Sequence, residues 1–124
     1  MANEISASMS LGFTKNGISE SVTVVTTKFT MNGNNFTHNT VLVPTSVGGL
    51  ALPKGSIGTP GWTYLHNLDT SGNSVQILVA SGGSVMTQLY AGEFQMLRFA
   101  STDSNPAAIA LVSSVYLEVF MIEN

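Results

Sequence analysis

Apolar and polar residues alternate along much of this chain, and the alternation has a period of two. In the first run Ile5, Ala7, Met9, Leu11 and Phe13 fall on one face, with Ser6, Ser8, Ser10 and Gly12 on the other. That spacing predicts a half-buried β-strand. Asn16-Gly17 follows, a pair suited to a two-residue hairpin because both positions of a type I′ turn need positive φ. A second run extends from Ile18 to about Met31, and its apolar phase slips by one between Val24 and Val25. A β-bulge, or a strand that bends from one sheet to the other, produces such a slip. Asn32-Gly33 offers another turn before Phe36 to Val43, so the first forty residues read as a three-stranded meander.

Residues 44–60 break the pattern. Pro44, Pro53 and Pro60, with several glycines, leave no regular strand there. The stretch reads as an irregular crossover between sheets, in which Thr45-Ser46 opens a single helical turn that carries Leu50 and Leu52 onto a sheet edge. Long irregular connections also bind ligands, so a functional loop is the sharper alternative.

The chain is organised around Gly61 to Phe99. Trp62, Tyr64, His66 and Leu68 share one face of a strand, opposite Thr63, Leu65, Asn67 and Asp69. Asp69 to Asn73 is a turn cluster, and Val75, Ile77 and Val79 form the next apolar face. Ser81 to Ser84 turns the chain, and Val85 to Tyr90 pairs with Phe94 to Phe99 across Ala91-Gly92-Glu93. A surface loop at 101–106 leads to a last strand, Ala107 to Ile122, with a bend marked by Ser113. These runs give eight strands and no helix longer than about one turn. The fold class is all-β: a single-domain eight-stranded jelly roll or β-sandwich over residues 1–124.

Composition sharpens this picture. The charged fraction is 9%, against an ordinary hydrophobic fraction of 44%. A surface so poor in ions suits packing against copies of itself or a larger assembly better than life as an isolated monomer. With a net charge of −3 and only Lys15, Lys28, Lys54 and Arg98 as cations, the chain has no basic stripe to neutralise phosphates. Nucleic acid is therefore not an expected partner. The chain has no cysteine, which removes disulfides and thiolate chemistry. Met1-Ala2-Asn3-Glu4 carries no basic start and no apolar run, and no run approaches the roughly 18–20 apolar residues of a membrane helix. A protein folded in the cytoplasm of the cell that makes it, without a membrane partner, is the expectation.

Candidate chemistry is thin. His38 and His66 lie in different strands and lack the spacing of a metal site, so His66 reads as a hydrogen-bonded, part-buried side chain and His38 as solvated. Asp69 and Glu93 both fall at turns, where backbone capping explains them better than a glycosidase pair does. No Gly-x-Ser-x-Gly elbow is present, Gly82-Gly83 lacks a phosphate-loop Lys, and Asn35-Phe36-Thr37 reads as a chance glycosylation match. Trp62 and Tyr64 read as core packing, with a sugar-stacking platform as the alternative. No catalytic, cofactor-binding or metal-binding residue is expected, and the chain reads as a protein without enzyme activity.

Several of these stretches together resemble a family of small tailed-phage virion proteins of the capsid decoration, or cement, type. The features are a serine-rich alternating first strand (Ile5 to Phe13), a Thr-Ser step (Thr45-Ser46) before a Leu-containing crossover, and Gly61-Trp62 followed by Asn67-Leu68-Asp69. A short Val/Ile strand (Val75 to Val79) and a Leu-x-x-Gly-Glu-aromatic hairpin (Leu89 to Phe94) complete them. Where the family often has Asn-Tyr-Val after the Asp, this chain has Asn73-Ser74-Val75. The resemblance implies a jelly-roll subunit of the virion, a homotrimer docked on the major capsid protein or other virion proteins. Gly61, Trp62, Tyr64, Asn67, Asp69, Gly92 and Glu93 would be its structural turn and core positions. Residues 1–4, with Ala2, Asn3 and Glu4, would be either an arm that adds a strand to a neighbour or a frayed terminus. A tail, fibre or baseplate component of the same fold is the first alternative, and a carbohydrate-binding jelly-roll module the second.

Overall fold

Asn16 and Gly17 have φ of 51° and 77°, the left-handed pair that a type I′ turn demands. They join β1 (Ile5–Lys15) to β2 (Ile18–Phe29) in a two-stranded antiparallel sheet. The structure, a computed structural model, describes residues 3–100 and 105–124. Ala2, and residues 101–104 of the expected 101–106 loop, lie outside the described residues. In the β1–β2 register Ala7 faces Thr27 but Met9 faces Val24, so β2 carries one extra residue at 25–26. Of the two readings of the phase slip at Val24-Val25, a bulge or a bend between sheets, the structure has the bulge.

The expected three-stranded meander does not form. The chain divides into two compact units, Met1–Asn32 and Gly33–Asn124, and Asn32-Gly33 marks their boundary instead of a hairpin turn. β3 (Phe36–Val43) pairs with the C-terminal strand and not with β2. The sandwich therefore occupies residues 33–124 and not the whole of 1–124.

Within that unit β4 (Leu50–Ala51), β5 (Pro60–Asn67), β6 (Val75–Leu78), β7 (Val85–Leu89), β8 (Phe94–Arg98), β9 (Ala107–Ala110) and β10 (Val115–Glu123) follow β3. They form two four-stranded antiparallel sheets, ordered β3-β10-β5-β8 and β4-β9-β6-β7. β7 and β8, expected to pair as a hairpin, instead lie in opposite sheets and pair with β6 and β5. Most connections cross from one sheet to the other, and this winding is that of a double-sheet jelly roll. The described residues hold ten strands and no helix, not the eight strands expected. Two differences account for the count. Leu50-Ala51 in the supposedly irregular crossover pairs with Ala107-Ala108, and the last run divides at 111–114 into two strands of opposite sheets. The bend expected at Ser113 is thus a change of sheet.

Val43, Leu65, Val75, Ile77, Leu117, Val119 and Met121 are fully buried between the sheets. Each such side chain contributes about 1.5–3 kcal/mol by leaving water. The crossover at 44–60 adds Leu52 and Ile57 to this core. Its expected helical turn is instead a tight turn, closed by Gly49 N–H donating to Ser46 O at 3.0 Å.

Candidate functional site

On β5 the core face is Gly61, Thr63, Leu65 and Asn67, all buried. Trp62, Tyr64 and His66 point the other way, onto the outer face of the β3-β10-β5-β8 sheet, and are only partly buried. The reading of Trp62 and Tyr64 as core residues is corrected here. Gly61 approaches the backbone of Ile122 and Asn124 so closely that a Cβ would crowd it, and Leu65 with Met121 and Val119 fills the space between the sheets. The bulkier rings have no room on that side.

The outer face gathers aromatic side chains from all four strands. Phe120 lies opposite His38 on β3 and Tyr64 on β5, while His66 lies opposite Glu118 on β10 and Phe94 on β8. Phe120 contacts Phe36 at 6.2 Å between ring centroids and meets the His38 ring edge-on at 5.1 Å. His66 meets Phe94 edge-on at 5.8 Å, and Tyr64 lies 6.1 Å from His66 and 6.5 Å from Phe94. Edge-on and tilted ring pairs of this kind contribute beyond their buried area. Phe36, Leu42, Phe94, Met96 and Tyr116 remain largely exposed at the ends and rim.

Glu118 joins the two halves of this ladder. Its Oε2 is 2.7 Å from His38 Nε2, and its Oε1 is 3.7 Å from His66 Nδ1. The two histidines, distant in sequence, flank one carboxylate because β10 pairs with β3 on one side and β5 on the other. Burial, and then the charge of Glu118, push the Tyr64 phenol above its ordinary value, so it remains a neutral hydroxyl on this face. Sequence reasoning missed Glu118. The signal was the second phase of the last strand: Tyr116, Glu118 and Phe120 alternate against the buried Val115, Leu117, Val119 and Met121.

The remaining motif residues build turns. Asn67 is fully buried; its Nδ2 donates to the carbonyls of Asn73 (3.0 Å) and Leu89 (3.1 Å), and its Oδ1 accepts from Asp69 N–H. Asp69 Oδ2 accepts from the N–H groups of Asn73 (2.7 Å) and Ser71 (2.8 Å), and these bonds lower its pKa, that of Asn73 most. Glu93 Oε2 accepts from Tyr90 N–H at 2.8 Å across the β7–β8 turn, in which Gly92 has φ of 80°. Together they fasten the end of β5 to two turns. His66 has its contacts with Glu118, Tyr64 and Phe94. Among the described residues no group of three or more His, Asp or Glu is placed to hold a metal ion.

A second carboxylate does comparable work. Glu123 Oε1 accepts from Gly58 N–H at 2.8 Å, and Oε2 accepts from Asn34 N–H, Asn35 N–H and Asn35 Nδ2. This clamp ties the start of β3 and the 58 loop to the end of β10. In the other unit Glu4 Oε2 accepts from Met31 N–H at 3.1 Å, and Asn3 has φ of 68°.

Comparison with protein-family models, curated proteins and solved structures finds no match to this chain.

Proposed function

We propose that the chain is a non-enzymatic structural subunit of a phage virion, a homotrimer that decorates and reinforces the capsid. The observation that carries this reading is the outer face of the β3-β10-β5-β8 sheet. It presents Phe36, Leu42, Phe94, Met96 and Tyr116 largely exposed, around a single carboxylate flanked by two histidines. An apolar surface spread over a whole sheet face marks a place where another protein lies. The low charge of the chain agrees, because hydroxyl and amide groups make contacts without the desolvation cost of ions. A jelly roll supplies a rigid body for such contacts, and many copies multiply weak ones. The partner is then the major capsid protein or another virion protein, with neither nucleic acid nor membrane involved.

Electron microscopy of particles carrying a labelled copy tests the reading. Label at regular positions on the head supports it; label on the tail, fibre or baseplate moves the same subunit to that structure; absence from particles overturns it. The outward placement of Trp62 and Tyr64 favours one further reading, a glycan-binding face on which sugar rings stack. Glycan-array binding that Trp62→Ala abolishes would establish it.

A further inference from the structure

The β1–β2 hairpin carries a second apolar face. The register places Met9 opposite Val24, Leu11 opposite Val22, Phe13 opposite Glu20 and Lys15 opposite Ile18, all on one side of the ribbon. The other side is built from small polar residues, with Ser10 facing Thr23, Gly12 facing Ser21 and Thr14 facing Ser19; the hydroxyls of Thr14 and Ser19 are 2.9 Å apart. The polar side is suited to water. The apolar side is also open: Leu11 is 69% exposed, Ile18 63%, Phe13 56% and Val22 55%.

A two-stranded hairpin has no interior and is at best marginally stable alone in water. Its apolar face needs a cover. We infer that the cover is the same face of a second copy of this chain, hairpin packed on hairpin. It rests on the assembly reading and goes beyond it, because a two-fold contact joins copies in pairs and so links one trimer to the next.

Charge and area select that occupant. The described residues of this unit carry Glu4 and Glu20 against Lys15 and Lys28, so two copies meet without net repulsion. The charges on the apolar face are Lys15 and Glu20, of opposite sign and both near the turn. A two-fold arrangement can therefore set one copy's Lys15 beside the other's Glu20. Met9, Leu11, Phe13, Ile18, Val22 and Val24 expose on the order of 600 Å² of residue surface per copy. Covering two such faces completely removes about 1,200 Å², the lower bound of a standard stable interface. Packed face to face at the ~10 Å of stacked sheets, the two ribbons form the small sandwich that one hairpin cannot form alone.

The chain has no cysteine, so a single introduced thiol reports on one position. Leu11→Cys lies in the middle of the apolar face and Ser10→Cys on the polar one. Each full-length variant is treated with a bismaleimide spanning about 10 Å, the spacing of packed sheets. Leu11→Cys is expected to give a covalent dimer at least tenfold faster than Ser10→Cys. In sedimentation, the wild type is expected to associate beyond the trimer at micromolar concentration, and Leu11→Ser/Phe13→Ser/Val22→Ser to do so at least a hundredfold more weakly. Equal cross-linking at both positions indicates edge-to-edge pairing and overturns the proposal. So does a wild-type oligomer with no Leu11 cross-link, which leaves the assembly reading intact. A wild type that stays monomeric near 100 μM overturns both. Cross-linking at Leu11 in a protein absent from particles keeps the hairpin interface and removes the virion reading. The single Leu11→Cys change decides the matter even if the triple variant fails to fold.

Discussion

Glu118 Oε2 lies 2.7 Å from His38 Nε2, on the outer face of a sheet whose other outward side chains are mostly aromatic or aliphatic. His38 and Glu118 keep side-chain exposures of 50% and 27%, so water screens the pair. A partly exposed polar pair of that kind contributes about 0–1 kcal/mol. Glu118→Gln is therefore expected to lower unfolding free energy in urea by less than about 1 kcal/mol. Glu118→Leu removes the one carboxylate from the face and is expected to raise self-association at pH 7, read by light scattering. A loss of several kcal/mol in the first variant, or unchanged scattering in the second, would show that the carboxylate has another task.

Phe94 and Tyr116 separate docking from folding. They are 70% and 58% exposed, so Phe94→Ser/Tyr116→Ser is expected to change stability by less than about 1 kcal/mol. If the sheet face lies against virion protein, the same variant loses co-sedimentation with particles by at least tenfold. Retained binding would move the docking surface elsewhere on the chain.

What the sequence made legible was local. Asn16-Gly17 announces its turn, and the slip at Val24-Val25 marks the position of its bulge, because backbone conformation and side-chain phase are decided within a few residues. Strand neighbours are not decided there. Nothing near Phe36 says that β3 pairs with β10 and not with β2, since both pairings give β3 an antiparallel partner. The face of β5 was misjudged for a related reason. The rule that the largest apolar side chains go inside assumes one buried face, whereas Tyr64 and His66 are partly covered on the outside by each other and by the Phe94 ring of β8. Glu118 and its two histidines could not be assembled without knowing that β10 is a central strand.

Asn67 carries more of the fold than its size suggests. Its amide satisfies the carbonyls of Asn73 and Leu89 and accepts from Asp69 N–H, with no exposed surface. Asn67→Ala leaves those groups short of partners in a dry site, at about 1–3 kcal/mol for each one left unsatisfied. A loss of roughly 3 kcal/mol in urea unfolding is expected, with the sandwich weakened at the β5–β7 end. A loss below about 1 kcal/mol would mean that water or a neighbouring group takes over the bonds.

Two glycines with positive φ should respond differently. Gly49 (φ 69°) lies against the Ala108 carbonyl, where a Cβ would clash with backbone, while Gly92 (φ 80°) faces open space. Gly92→Ala carries only the left-handed penalty of about 1–2 kcal/mol. Gly49→Ala adds overpacking of about 1–3 kcal/mol against the β4–β9 ladder, so its midpoint in urea should fall further. Equal losses would show that β4 can move away from β9.

Glu123 and Asp69 should couple stability to acid. Gly58 N–H, then Asn34 N–H, hold the Glu123 carboxyl below its usual range, and Asn73 N–H does most for Asp69. The folded state therefore releases these protons more readily than the unfolded chain. Their stabilisation is complete above the unfolded carboxylate value of about 4 and is lost as pH falls through the lower folded values. Urea midpoints should stay level from pH 7 to about 5 and drop below about 4. Glu123→Gln keeps the shape but replaces one accepting oxygen with a donor that faces other donors. Its midpoint should be lower at pH 7 and fall less between pH 5 and 3 than that of the wild type. Parallel curves for the two proteins would assign the acid limb to other carboxylates.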